Sequence, residues 1–336
     1  MSFVPILIKL FILTGSAFLI SLLSTPFLTY FLYRYKFGQQ IKKYAITGEA
    51  AKIYAKLHKE KAFTPTGGGI LIWLPTAIIT YFLNLSRAET WLPLASLIAS
   101  GLLGGLDDIL NVTGFGLKKG LGFLQKIILQ LIIALIGAWW FYYKLGFSII
   151  HIPGFGNFEI GWLYIPLFIL VILSTTNAVN ITDGLDGLAG GCLMTSFGAY
   201  GVIAFVQGHL GIAGFCCTII GALLAFLWFN IYPARFFMGD TGSLALGTTL
   251  GVIAMLTNSV LVLPIIGFVF VIETLSVIIQ LLSKKLRKGK KVFKSAPIHH
   301  HLEAIGWPEP KIVMRFWIIS GVFAILGLII GLIGRG

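Results

Sequence analysis

Residues 161–206 read GWLYIPLFILVILSTTNAVNITDGLDGLAGGCLMTSFGAYGVIAFV. Two apolar runs, about 161–176 and 187–206, flank a short insert crowded with amides, carboxylates and glycines. Each run approaches the roughly 20 residues a helix needs to cross hydrocarbon. The insert is too polar for lipid, so the stretch reads as two membrane-crossing helices joined at one surface. An ionised carboxylate beside hydrocarbon is expensive and is retained for chemistry. Asp183 and Asp186 therefore mark a functional site rather than a turn alone.

Working outward, the pattern repeats. Ten apolar segments can be drawn, at about 5–33, 68–84, 91–106, 123–143, 161–176, 187–206, 211–229, 241–256, 260–282 and 312–333. The chain is 57% hydrophobic and 11% charged, with a mean hydropathy of +0.93, so a soluble domain would lack the polar surface to cover these helices. The expected fold is an all-α polytopic membrane protein with about ten transmembrane helices, in a single domain spanning residues 1–336. All five aspartates, Asp107, Asp108, Asp183, Asp186 and Asp240, then fall at the ends of segments on one side.

The net charge of +13 has the same explanation. With the amino terminus outside, 21 of the 25 Lys and Arg lie in the intracellular stretches or, as Lys126 and Arg315, at the inner ends of spans, leaving only Lys9, Arg87, Lys144 and Arg335 outside. That asymmetry is the positive-inside pattern, and it sets both termini on the outer face. It excludes nucleic acid as the reason for the basicity. The first span is too long for a signal-peptide core and lacks a cleavage site, so it counts as a helix. Cys192, Cys216 and Cys217 all lie within spans, which argues against a disulfide framework or zinc.

Intracellular loops are expected at about 34–67, 107–122, 177–186, 230–240 and 283–311. Within the first, Ala50, Ile53, Tyr54 and Leu57 recur at helical spacing opposite basic residues, as in a helix lying on an anionic leaflet. Outside, the turn-rich stretch between Lys144 and Gly161 suits a small hairpin.

Four stretches carry the chemistry. In the first, Asn177, Asn180, Asp183 and Asp186 recur every third residue, a spacing that brings side chains within about 5–6 Å on a helix. Glycines 184, 187, 190 and 191 let the backbone approach a ligand. Amides and carboxylates beside exposed backbone donors suit a nucleotide and its phosphates. Second, Asp107 and Asp108 are adjacent and repel, so both stay ionised only if a cation or the following Lys118, Lys119 and Lys126 compensate. Third, Asn230 and Asp240 bracket a cytoplasmic turn, where Asp240-Thr241-Gly242-Ser243 also reads as a helix cap. A helix start attracts anions in its own right. Fourth, His299, His300 and His301 follow a basic run; consecutive residues cannot all face one ligand, and metal sites favour spaced ligands. Phosphate binding or proton handling suits them better than zinc with Glu303. Lys61 and “TPTGGG” (64–69) complete the polar set.

Together these motifs resemble the polyprenyl-phosphate N-acetylhexosamine-1-phosphate transferases, from about Lys61 to the carboxyl terminus. The stretch “APIHHHLEAIGWPEPKIVMRFWIIS” resembles the muramoyl branch of that family. The resemblance implies ten spans with both termini outside, in the bacterial cytoplasmic (inner) membrane with the site facing the cytoplasm. It implies transfer of phospho-MurNAc-pentapeptide from UDP-MurNAc-pentapeptide to undecaprenyl phosphate, giving lipid I and UMP, with Mg2+. A homodimer is implied only in this way. Carried over residue by residue, the metal ligand is Asp240 and the catalytic acidic pair is Asp107 and Asp108, with Lys126 and His299 also catalytic. The substrate-binding set is Lys61, Thr66, Asn177, Asn180, Asp183, Asp186, Asn230, His299 and His300. The chain departs from the family in “TPTGGG” where “TPTMGG” is usual, in Leu302 for Phe, and in the absence of basic residues over 111–117. Residue pattern alone leaves open whether Asp107 is a base, a nucleophile or a positioner of the lipid phosphate. A sister transferase using UDP-GlcNAc is the near rival. A secondary transporter is the distant one, and it predicts mid-span charges and an internal repeat; here only Glu273 lies deep in a span, and no repeat is visible.

Overall fold

The computed structural model describes residues 3–35, 37–38, 61, 64–114 and 120–333. Twelve α-helices lie among the described residues: α1 (Phe3–Arg34), α2 (Ile70–Leu83), α3 (Trp91–Thr113), α4 (Phe123–Trp139), α5 (Tyr164–Thr182), α6 (Leu188–Val206), α7 (Leu210–Asn230), α8 (Gly239–Leu256), α9 (Leu263–Ile266), α10 (Phe268–Leu286), α11 (Ile298–Ala304) and α12 (Glu309–Leu332). Seven of these, α1, α3–α7 and α12, are long and apolar enough to cross a membrane. Helices α9 and α10 would count as an eighth, bent by 80° at Gly267. The protein is a multi-pass, all-α membrane protein. Phe11 and Leu23 on α1, Phe123 on α4 and Ile318 on α12 point outward, a surface that water would not tolerate and lipid does.

The remaining two expected spans differ in kind. Helix α2 has 14 residues. Helix α8 is half Gly, Ser, Thr or Asp, nine of its 18 residues, and every residue from Thr241 to Leu256 is buried. It packs along α3 and α5 at the centre of the bundle, where it meets protein rather than lipid. Small residues there let backbones come close. A Cβ on Gly104 of α3 would stand 2.1 Å from the Asp240 carbonyl oxygen. Gly104→Ala is therefore expected to push α3 from α8, costing about 1–3 kcal/mol and lowering the thermal midpoint in detergent. An unchanged midpoint would mean the two helices are not in close contact.

Helix ends depart from the expected loops. Residues 107–113 and 177–182 are helical, because α3 and α5 continue past their apolar runs. Asp107, Asp108, Asn177 and Asn180 thus stand on rigid helix surface. The hairpin is present as strands β1 (Ile149–Ile152) and β2 (Gly156–Glu159), antiparallel with His151 opposite Asn157. The His151 backbone N–H donates to Asn258 Oδ1 (3.0 Å), just past the end of α8, which places the hairpin at the end of the bundle opposite Asp240. The amphipathic segment read at 49–60, Lys118, Lys119 and residues 115–117 of the 111–117 departure lie outside the described residues.

Candidate active site

Four helices bring their polar ends together. Lys126 on α4 places its Nζ 2.6 Å from Asp107 Oδ2 of α3 and 2.6 Å from Asp240 Oδ2 of α8. Asp107 is fully buried, and its other partners are Asn111 Nδ2, one helical turn on, at 2.7 Å, and the Leu121 backbone N–H at 2.7 Å. Asn180 on α5 donates through Nδ2 to Asp240 Oδ1 (2.8 Å) and to Ser243 Oγ (2.9 Å). An ammonium held between two carboxylates compensates a charge density that burial would otherwise forbid. The three-residue spacing seen in sequence has a physical use: Asn177 and Asn180 sit one turn apart on α5, and Asn177 Nδ2 reaches Gln130 Oε1 of α4 at 2.8 Å.

The helix cap read at Asp240 belongs to Asp108. Asp240 lies inside the first turn of α8 and makes no capping bond to its own helix. Instead the Asp108 carboxylate accepts the Asp240 N–H (3.2 Å) and the Thr241 N–H (3.0 Å) from across the helix interface. The α8 N-terminus, with its unpaired amides, draws a carboxylate from α3, and the Asp240 side chain is left free to face Lys126. Asp108 is thus anchored at the α8 N-terminus, one residue from Asp107 in sequence and bonded to the Asp240 backbone.

A second cluster lies against the first. Lys61 Nζ contacts Asp186 Oδ1 (2.6 Å) and Glu309 Oε1, with its ammonium 5.7 Å and 6.0 Å from the ring centroids of Tyr232 and Phe237. Asp186 Oδ2 accepts the Ala234 N–H (3.0 Å), and Glu309 accepts the Asp186 N–H (2.7 Å). Backbone bonds zip residues 65–69 to 237–238, and Thr66 is buried within that seam. Asn230 clasps the same loops, accepting the Gly187 N–H and donating to the Phe236 carbonyl. Asp183 caps the end of α5 between the clusters. Burial, reinforced by the nearby Asp240 and Asp186 charges, pushes its carboxyl up to about 7.

The three histidines do not converge on one ligand. His299 is fully buried, its Nδ1 2.8 Å from Glu273 Oε2, while its Nε2 has no hydrogen-bond partner among the described residues and stands against Gly184. His300 Nδ1 lies 2.7 Å from Glu303, and His301 Nδ1 accepts the Lys294 N–H at 3.2 Å. Among the described residues no three His, Cys, Asp or Glu side chains are grouped to enclose a metal ion. The donors on offer are hard carboxylate oxygens, Asp240 foremost, in an open cluster. That set fits Mg2+, which takes one or two carboxylates and completes its shell with water and substrate phosphate.

The profile of glycosyl transferase family 4 matches residues 90–258, which contain both clusters except Lys61, Thr66, the histidine segment and Glu309. A phospho-N-acetylmuramoyl-pentapeptide-transferase of Geobacillus thermodenitrificans is 46% identical over 322 residues, covering 94% of this chain and 95% of the relative. Proteins of the same name from Anoxybacillus flavithermus and Bacillus mycoides are each 43% identical, covering 94% and 96% of this chain and 96% and 98% of their own. The chain belongs to glycosyl transferase family 4. The family assignment agrees with the resemblance carried by the sequence motifs.

Within this family 4 chain, several polar partners escape a reading of motifs. Glu273, seen in sequence only as a charge deep in a span, is the buried partner of His299. Glu309, Gln130, Ser243 and Asn111 each hold a motif residue in place. The helical spacing of Asn111 after Asp107 is the one such signal visible in the chain itself.

Proposed function

We propose that this chain transfers phospho-MurNAc-pentapeptide from UDP-MurNAc-pentapeptide to undecaprenyl phosphate, forming lipid I and releasing UMP, for peptidoglycan synthesis. The observation that carries this reading is the Asp107–Lys126–Asp240–Asn180 cluster beside the Lys61–Asp186 pair: a charge-compensated site for phosphate next to an aromatic-lined site for a nucleoside. The names of the relatives at 43–46% identity support the muramoyl substrate.

In this scheme an oxygen of the lipid phosphate attacks the sugar-bound phosphorus of the donor, and the bond to UMP breaks with its electron pair leaving on UMP. Asp240, with Asp107 or Asp183 beside it, would hold Mg2+, which would supply positive charge to offset that of the diphosphate. Lys126 stands beside the same carboxylates and meets the incoming anion. A phosphate monoester has its second pKa near 6, so the acceptor is already mostly dianionic and asks little of a base. Asp107 is fully buried and its oxygens are engaged by Lys126, Asn111 and Leu121. That favours direct displacement, with Asp107 orienting Lys126, over a covalent intermediate on its carboxylate. His299, held by Glu273, presents its Nε2 to the 183–187 loop and stabilises the donor phosphates there. Purified protein given undecaprenyl phosphate should release UMP from UDP-MurNAc-pentapeptide and not from UDP-GlcNAc. Chelation should stop turnover, and magnesium without zinc should restore it. Release from UDP-GlcNAc alone would reassign the substrate to the sister reaction.

The proposed topology has all ten segments crossing the cytoplasmic membrane, both termini outside and the aspartates facing the cytoplasm. The distribution of 21 of 25 basic residues on that side supports it. A cysteine at Ser295 should be shielded from an impermeant thiol reagent in intact cells, and one at Asn157, on the hairpin, should be labelled, in a background where the native cysteines are silent. The reverse pattern would invert the protein and put the site where no UDP-sugar is present.

A further inference from the structure

At the aspartate-bearing end of the bundle, a cavity of about 390 Å³ opens between α1 and the end of α7. Pro26, Tyr30, Tyr33 and Phe229 form its wall, and Arg34 and Arg235 stand at its edge. Among the described residues no acidic side chain lines it. Each guanidinium lies over an aromatic ring, Arg34 over Tyr30 and Arg235 over Phe229, both 5.6 Å from the centroid. Tyr33 ties the two elements together by donating to the Arg235 carbonyl at 3.1 Å. Neither arginine pairs with a carboxylate among the described residues, although four Asp and Glu elsewhere in the chain pair with lysines.

Arg34 Nη1 also donates to the Tyr30 hydroxyl, but the ring contacts leave the other guanidinium N–H groups of both arginines, shaped for phosphate, without a carboxylate partner among the described residues. The surrounding face of α1 is apolar and outward, with Phe27 and Tyr30 exposed. A soluble anion would gain nothing from that wall. A lipid would fill it with acyl chain while its headgroup met the arginines. We propose that this crevice is a binding site for one anionic phospholipid, separate from the Asp107–Asp240 cluster.

The test compares the intact protein with Arg34→Gln/Arg235→Gln in mixed micelles of a neutral detergent and phosphatidylcholine, titrated with phosphatidylglycerol, the retained lipid being counted by native mass spectrometry. The wild type should retain one phosphatidylglycerol in preference to phosphatidylcholine, and the double variant should need about tenfold more or greater to do so. Lys284→Gln/Lys285→Gln removes the same charge from the same side of the protein and should leave retention unchanged. Inorganic phosphate at millimolar concentration should not displace the lipid. Equal loss in both double variants would reduce the effect to general surface charge, and unchanged retention in the arginine variant would remove the site. Displacement by inorganic phosphate would make it a free-anion site. Each of these overturns the proposal. Arg34→Gln alone, at an exposed helix end, gives the same comparison if the pair disturbs the fold. The transfer reaction is not part of the readout, so the outcome is independent of the function proposed above.

Discussion

Asp240→Asn is expected to abolish transfer, lowering kcat by about 10³-fold or more, because a metal's charge stabilisation is worth several kcal/mol. Asp240 is not the cap of its helix, since Asp108 fills that role, so the substitution leaves α8 anchored. The amide oxygen can still accept from Asn180 or Lys126, and only the negative charge is lost. UMP release should fall to background while the thermal midpoint in detergent stays within a few degrees of the wild type. Wild-type turnover at ordinary magnesium concentrations would refute the assignment of Asp240. Loss of the midpoint together with activity would show Asp240 to be structural first.

Lys126→Met carries the second large effect, and it separates charge from shape. Methionine keeps much of the length of the side chain but leaves Asp107 and Asp240 facing each other with no cation between them. Removing one partner of a buried ion pair costs about 3–5 kcal/mol, so the midpoint should drop clearly. Losing one stabilising donor at a reacting phosphate should cost about 10²–10³-fold in kcat. Adding Asp107→Asn to Lys126→Met removes the stranded charge, so it should recover much of the midpoint and none of the activity. If the second change restores neither, the lysine is holding helices rather than balancing carboxylates. If Lys126→Met turns over normally, the cluster is not where the phosphates meet.

What could be read in advance was what is local. The spacing of Asn177, Asn180, Asp183 and Asp186 announces one face of a helix; the structure extends α5 to Thr182, which carries the two asparagines, and leaves Asp183 and Asp186 in the turn that follows. The hairpin between Lys144 and Gly161 was equally legible, because turn residues bracket two short alternating runs. Pairings across the chain were not. Lys61 and Glu309 meet over 248 positions, and Glu273 reaches His299 only because the chain folds back between α10 and α11. No periodicity announces such contacts. The helix cap shows the same limit from another side. Asp240-Thr241-Gly242-Ser243 has the composition of a self-capped start, but a closer carboxylate from a neighbouring helix took the position. Composition also misplaces helix ends, since α3 runs on through Asp107 and Asp108 to Thr113 after its apolar run has finished. A helix stops where its backbone loses partners, not where its side chains stop being greasy.

The character of α8 bears on how the protein is made. Half its residues are small or polar, and all from Thr241 onward are covered by other helices. Entry into a bilayer is driven by apolar side chains meeting lipid, and α8 offers few. During synthesis it emerges after α3 and α5, the helices it packs along. Those earlier segments form the slot that takes it up. The Asp240 carboxylate at its start is thereby brought to Lys126 and Asn180 in the same event that buries the helix, so this cluster closes only as α8 enters its slot.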